Sequence, residues 1–228
     1  DMMGIPYSSC GFVSSVLTFD KSACKRAVAG SGIHLAKEIL LNKGSEVNPD
    51  QIITELGLPL FVKPNASGSS FGVTKVKTPK ELLPAIQEAF KESDQVLMEE
   101  FIEGCEISCG VMIAEGKEYV FPITELVSQK EFFDYEAKYQ GLSHEITPAD
   151  LPDAVRKEVN RLTLIAYKRL NCRGVVRIDF IIKGDTPYMI EINTIPGMSS
   201  HSIIPQQAAA MGMSLTELFN LVIAETSK

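Results

Sequence analysis

Arg177-Ile178-Asp179-Phe180-Ile181-Ile182 and Tyr188-Met189-Ile190-Glu191-Ile192-Asn193 carry the most informative chemistry in the chain. Side chains alternate along a strand, so Arg177 and Asp179 share one face, as do Glu191 and Asn193, while Ile178, Phe180, Ile190 and Ile192 take the other. A hairpin closed with Lys183 opposite Pro187 would set Asp179 against Glu191 and Arg177 against Asn193. Two carboxylates side by side on a sheet repel unless something positive sits between them. Arg177 alone would make the pair a solvated polar face. Three oxygen ligands on two adjacent strands point instead to a hard divalent cation, because Mg²⁺ takes one or two protein carboxylates and leaves sites for water and phosphate oxygens.

Lys63-Pro64-Asn65-Ala66-Ser67-Gly68-Ser69-Ser70-Phe71-Gly72 has the small residues that let backbone N–H groups approach a phosphate. Neither G-x-x-x-x-G-K-[ST] nor G-x-G-x-x-G occurs, so a Walker or Rossmann site is not supported. Taken alone the loop is a turn, and Lys21 and Lys63 alone are surface lysines. Asn193–Ser202 follows the carboxylate strand directly, so an anion held there lies close to the metal. Gly197 can bring a backbone N–H to a developing oxyanion, and Ser202 can cap the next helix, whose N-terminus suits a substrate carboxylate. His201 stands in no relation to a nucleophile and reads as a polar helix-start residue.

The elements that position these groups follow from periodicity and punctuation. A helix is expected over Thr18–Ala29, stopped by Gly30-Ser31-Gly32. Strands are expected over Ile33–Leu41, Leu58–Pro64 and Val73–Lys77, the last two flanking the glycine-serine turn, with a helix over Pro79–Ser93. Gln95–Ile102, Glu106–Ala114 and Lys117–Val127 read as one antiparallel sheet. Residues 128–147, polar and aromatic without periodicity, are a lid candidate. A helix from Pro152 to Leu170, strands over Val175–Ile182 and Tyr188–Asn193, and a capping box at Ser214-Leu215-Thr216-Glu217 complete the reading.

The 228 residues include 22 Lys+Arg and 29 Asp+Glu, for a net charge of −7, with 45% hydrophobic residues. Disorder and fibre are excluded, and a pI near 5.1 without a basic cluster argues against a nucleic-acid platform. No stretch approaches the roughly 18 apolar residues of a membrane span, and the start lacks a basic-then-apolar export signal; the expected location is the cytoplasm. Five cysteines without C-x-x-C spacing read as reduced thiols, including the strand pair Cys105 and Cys109. Asp1–Tyr7 enters a turn without a strand or capped helix of its own, which suggests a fragment.

Lys63-Pro64 with Gly68-Ser69-Ser70 and Gly72, Met98-Glu99-Glu100-Phe101-Ile102-Glu103-Gly104 with Glu106, Asp134-Tyr135-Glu136-Ala137-Lys138-Tyr139, Arg177-Ile178-Asp179 and Glu191–Ser202 together resemble the D-alanine–D-alanine ligase family of ATP-grasp enzymes. The resemblance runs from Gly4 to the C-terminus, and the Tyr-Glu-Ala-Lys-Tyr loop separates this family from most other ATP-grasp ligases. It implies an α+β fold of two lobes, each a mainly antiparallel sheet with flanking helices: a linker over 1–14, a small lobe over 15–100 with a phosphate-covering loop at 65–72, and a C-terminal lobe over 101–228 with a lid at 128–147. The implied reaction serves peptidoglycan synthesis. ATP phosphorylates one D-alanine carboxylate, and the amine of a second D-alanine attacks the acyl phosphate, releasing ADP and phosphate.

The resemblance assigns Lys21 and Lys63 to the α/β phosphates, Ser69 to covering the transferring group, the Glu100 carbonyl and Ile102 N–H to an adenine hinge, Glu99 to a place beside the adenine and Glu106 to the ribose. Asp179, Glu191 and Asn193 would bind two Mg²⁺ or Mn²⁺. Arg177 and the Gly197 N–H would stabilise the charged intermediate, Ser202 would receive the second substrate's carboxylate, and Lys138 and Tyr139 would close over the site. The family's Rossmann-like upstream domain, which holds the first D-alanine's ammonium, is not among these residues. The expectation is a chain that binds Mg·ATP and ligates poorly alone, with a homodimer expected of the full-length protein. A related carboxylate–amine ligase, including a D-alanine–D-lactate variant, and a nucleotide-binding module without activity are the alternatives. Ile195, where relatives often carry Ser, is a minor departure.

Overall fold

A computed structural model describes residues 1–68, 71–128 and 143–226. Strands β2 (Glu38–Asn42), β5 (Gln95–Glu100), β3 (Leu60–Pro64) and β4 (Thr74–Val76) form a small antiparallel sheet in that order. Its core is closed by α3 (Pro49–Leu56) and α4 (Pro79–Ala89), which bring Ile52, Leu56, Leu82, Ile86 and Ala89 against Leu60, Val62 and Met98. Helix α4 opens with a capping box in which Glu81 accepts from the Thr78 and Lys77 backbone N–H groups. The sequence reading has no α3, although Asn48 caps it through the Gln51 N–H, Pro49 opens it and Gly57, at φ 75°, ends it.

The larger sheet runs β1 (His34–Leu35), β11 (Thr186–Asn193), β10 (Val176–Lys183), β6 (Cys105–Ala114), β8 (Thr124–Ser128) and β9 (Ser143–Ile146), with β7 (Lys117–Val120) also on β6. Strand β6 divides its residues by parity. Ile107, Cys109 and Val111 meet Val155, Val159 and Leu162 of α5 (Asp153–Arg169), while Met112 packs with Ile204 and Ala208 of α6 (Ile203–Ala210) and Leu218 of α7 (Leu215–Thr226). The Ser214–Glu217 capping box opens α7 as expected, with Ser214 N–H donating to Glu217 at 2.7 Å and Glu217 N–H donating back to Ser214 Oγ.

Several elements differ from the sequence reading. The helix expected over 18–29 is two, α1 (Phe12–Phe19) and α2 (Lys21–Val28), because Asp20 is extended and caps α2 by accepting from the Ala23 N–H at 2.8 Å. Cys24 and Val28 of α2, with Ile33, join the core of the large sheet, although the expected division placed 15–100 in the small lobe. The strand expected over Ile33–Leu41 is divided between the sheets at Ala36-Lys37, with β1 in the large sheet and β2 in the small one. Gln95–Glu100 likewise belongs to the small sheet, not with β6. The run Lys117–Val127 breaks at Phe121–Ile123, where Phe121 N–H reaches the Gly110 carbonyl at 2.9 Å and the Ile123 carbonyl accepts from Ala149 N–H. Of the lid candidate at 128–147, residues 143–146 form β9 against β8; residues 129–142 lie outside the described residues.

The two crossings between sheets, at Ala36-Lys37 and Phe101–Gly104, are joined to each other. Lys37 N–H donates to the Glu100 carboxylate at 2.8 Å, and Glu100 N–H donates to the Lys37 carbonyl at 3.1 Å. Gly104 runs so close to β10 that a Cβ there would lie 2.1 Å from the Ile182 carbonyl oxygen. A backbone oxygen in a central strand cannot move aside, so Gly104→Ala is expected to lower the unfolding free energy by about 2 kcal/mol, as overpacking does. Urea denaturation checks this, and an unchanged midpoint at equal slope contradicts it.

Candidate active site

The cleft between the two sheets has a volume of about 740 Å³, in the range of small-molecule sites. Lys21, Lys63, Glu99, Glu100, Ile102, Glu106, Glu191 and Asn193 all line it, as do apolar Phe61, Phe101, Ile181 and Ile190. One flank can therefore take a flat apolar ring while the other faces charge. Phe61 and Phe101 stand 5.9 Å apart at 53°, and Lys75 Nζ lies 3.8 Å over the Phe101 ring.

The β10–β11 pair has the register read from the sequence where the chemistry lies and departs from it at the turn. Asp179 faces Glu191 and Arg177 faces Asn193, but the hairpin closes with Lys183 opposite Thr186 and Ile182 opposite Pro187. A bulge between the two regions leaves Ile190 without a partner on β10. Bulges re-aim side chains. Here Met189 and Ile192 enter the core, while Ile190 lines the cleft instead of sharing the core face with Ile192.

Asp179 is 5% exposed and doubly held: Arg177 donates to its two oxygens at 3.0 and 2.8 Å, and Ser108 Oγ, directly across on β6, donates at 2.6 Å. Burial pulls the Arg177 guanidinium down, but the charge and hydrogen bonds of Asp179, with the charges of Glu191 and Glu106, hold it above its ordinary value. Buried Gln207 of α6 fixes the strand behind by accepting from Gly110 N–H at 3.1 Å and donating to the Ser108 carbonyl and to Thr124 Oγ1. The sequence signal for this support was the run of small residues, Ser108 and Gly110, alternating with Ile107, Cys109 and Val111.

The donor set fits a magnesium ion. Asp179 Oδ2 and Asn193 Oδ1, which accepts one bond from Ile195 N–H at 3.1 Å, each keep a lone pair, and Glu191 adds a carboxylate. Among the described residues no three His, Cys, Asp or Glu side chains converge, so this is a two-carboxylate set completed by an amide oxygen.

Across the cleft Glu99, 7% exposed, bridges Lys63 of β3 and Lys25 of α2. Its burial favours protonation, yet the two lysine charges hold its carboxyl below the usual range. Lys21 Nζ donates to the Ser67 carbonyl at 2.6 Å, at the edge of the glycine-serine loop. Lys25 and Glu38 escaped the sequence reading; a lysine on the same helical face as Cys24 and Val28 was the available sign.

Gly197 and Ser202 come together, since a Cβ on Gly197 would lie 2.8 Å from Ser202 Oγ. Ser202 stands at the N-cap of α6, but its hydroxyl pairs with Ser199 Oγ at 2.8 Å and makes no cap bond. His201 is exposed and pairs with Ser200. Ser69, Lys138 and Tyr139 lie outside the described residues.

Residues 28–224 match the family model described as "D-ala D-ala ligase C-terminus". This chain belongs to that family. It is 50% identical over 224 residues to a D-alanine–D-alanine ligase of Phocaeicola vulgatus, covering 98% of this chain and 69% of that protein. A D-alanine–D-alanine ligase of Parabacteroides distasonis is 45% identical over 229 residues, at 100% and 69% coverage. Among solved structures, the Bacillus anthracis D-alanine–D-alanine ligase complexed with ATP superposes with a TM-score of 0.85 at 33% identity, over 99% of this chain and 72% of that one. A D-Ala:D-Ser ligase from Enterococcus faecalis gives 0.88 at 33% identity, over 98% and 66%. The fold is thus that of the ATP-grasp ligases, as the sequence motifs implied.

Glu99 supplies a pH test of the site's charge balance. Because its folded value is lowered, the stability it contributes is present above the ordinary carboxyl value of about 4.3 and is lost as pH falls through the lower folded value. Glu99→Gln is expected to cost on the order of 3 kcal/mol at pH 7. The difference from wild type should shrink below pH 4, and a gap independent of pH contradicts the account.

Proposed function

We propose that this chain is the nucleotide-binding and phosphoryl-transfer part of an ATP-dependent D-alanine–D-alanine ligase. The carrying observation is the facing of Asp179 with Glu191 and of Arg177 with Asn193, beside the cleft between the sheets, in a chain 50% identical to one ligase of that name. The product is D-alanyl-D-alanine for peptidoglycan, formed through an acyl phosphate. The relatives at 42 to 50% identity carry the dipeptide name, which favours it over a depsipeptide or D-Ala:D-Ser product.

In this reading Asp179, Glu191 and Asn193 hold two Mg²⁺ or Mn²⁺, which would neutralise the phosphate charge and align donor and acceptor. Lys21 and Lys63 grip the α/β phosphates, and Ser69 covers the group in transfer. The adenine lies on the Glu100–Ile102 hinge beside Glu99, with Phe61 and Phe101 on the apolar flank, and Glu106 takes the ribose hydroxyls. Arg177, held by Asp179, keeps a fixed cation beside the carboxylate that is phosphorylated and then attacked, while the Gly197 N–H supports the oxyanion. Ser202 receives the carboxylate of the second D-alanine, and Lys138 and Tyr139 close over the site. The division into 1–14, 15–100 and 101–228 is proposed on the same grounds, with Cys24, Val28 and Ile33 of the middle segment packed into the core of the large sheet, as are a cytoplasmic location and a homodimer. No described helix is long and apolar enough to cross a membrane. The net charge of −7 does not favour a nucleic-acid partner. The chain by itself is expected to bind Mg·ATP and to make little dipeptide.

The test is phosphate release from Mg·ATP by this chain joined to the N-terminal part of the Phocaeicola vulgatus relative. Release should require D-alanine and not respond to L-alanine, and Asp179→Asn should reduce it on the order of 100-fold, the scale of a lost metal ligand. Release indifferent to the alanine enantiomer contradicts the reading.

A further inference from the structure

Glu99 is shared by two lysines that are held very differently. Lys25, 4% exposed, donates to the Ala36 carbonyl at 2.9 Å and to Glu99 Oε1 at 2.5 Å, and Glu38 Oε2 lies 2.9 Å from its ammonium as an ion pair without a hydrogen bond. Its ammonium thus has two hydrogen-bond acceptors and a second carboxylate beside it. Glu38 is itself anchored, accepting from Ser22 Oγ at 2.6 Å, and the Ser22 N–H is fixed to Asn65 Oδ1 at 2.9 Å. Lys63, by contrast, has Glu99 Oε2 as its ion-pair partner among the described residues, and its side chain reaches the cleft.

A buried carboxylate shared between a fixed cation and a singly held one behaves as a transfer device. When phosphate enters the cleft, Lys63 can turn to it without stranding Glu99, because Lys25 keeps the carboxylate partnered. Without Lys25, Lys63 would be the sole cation on a buried charge, and every bond it made to phosphate would leave Glu99 uncompensated. We propose that Lys25 is a positioning residue: it holds Glu99 so that Lys63 is released to the nucleotide phosphates. The inference rests on the reading in which Lys63 binds phosphate.

Helix α2 thereby contributes twice to one ligand. Lys21, one turn before Lys25 on the same face, reaches the rim of the glycine-serine loop, while Lys25 reaches Glu38 and Glu99 of the small sheet. The Ala36 carbonyl that Lys25 also grips lies where the chain crosses from β1 to β2, so the same ammonium ties α2 to the junction of the sheets.

Calorimetric titration of Mg·ATP into the 228-residue chain and its variants tests this. Lys25→Met is expected to raise the dissociation constant by about tenfold or more, whereas in a Glu99→Gln background the same substitution should change it less than about twofold, the non-additivity of a pair that acts through one partner. Equal losses in both backgrounds would mean that Lys25 acts by packing or by its charge at a distance, and would overturn the inference, as would no loss in either. If Lys25→Met does not fold, the comparison of Glu99→Gln with Lys25→Met/Glu99→Gln still decides, since a large further loss there overturns it. Failure of the wild-type chain to bind Mg·ATP would overturn the phosphate reading itself and the inference with it; binding by wild type with an unaffected Lys25→Met overturns the inference alone.

Discussion

Like charges on neighbouring strands of a sheet are tolerated where a cation is built in beside them, and the Arg177–Asp179 pair is that device here. Arg177 spends two donors on Asp179 while Ser108 takes a third position on the same carboxylate, so one acid is locked in place and the other, Glu191, faces it from β11. Everything behind the pair serves this arrangement. Gln207 ties α6 to the strand that carries Ser108, and Gly110 lets that helix approach. A buried amide with each of its groups bonded rigidifies such a site, because leaving any of them unpaired would be costly.

The second half of the site comes from a different sheet, so its geometry depends on how the chain crosses between sheets. Two crossings, bonded to each other through Lys37 and Glu100, set the walls of the cleft, and Lys25 adds an ionic tie from α2 to both Glu38 and Glu99 of the small sheet. Positive charge from Lys21 and Lys63 thus faces the carboxylates of β10 and β11 across a space lined on one flank by aromatic rings. Phosphoryl transfer needs this division of labour, since positioning and charge neutralisation supply most of its acceleration.

The hairpin that carries the acids was legible because strand alternation is local. Its register at Asp179 and Glu191 was read correctly from a turn placed one residue away from the observed one, since the bulge at Ile190 absorbs the difference; alternation cannot reveal a bulge, and Ile190 was put on the wrong face for that reason. The capping box of α7 and the helix over 153–169 were legible from caps and periodicity. What failed was non-local. Nothing in Ile33–Leu41 or Gln95–Ile102 indicates that sheet membership changes along the chain, because both sheets ask for the same residues. Lys25 and Glu38 were missed because a buried ion pair can be seen only when its partners, distant in sequence, are brought together. The motif resemblance supplied what periodicity could not, the expectation that Lys21, Lys63, Glu99, Glu100 and Glu106 belong to one site, and all five line one cleft.

The most direct measurement of the account is a crystal structure of this chain with a non-hydrolysable ATP analogue and Mn²⁺, examined for anomalous scattering. The account predicts manganese density between the analogue's phosphates and the Asp179, Glu191 and Asn193 oxygens, with Lys21 and Lys63 on the phosphates. Manganese bound elsewhere, or an analogue ordered in the cleft with no metal at these three residues, would contradict it.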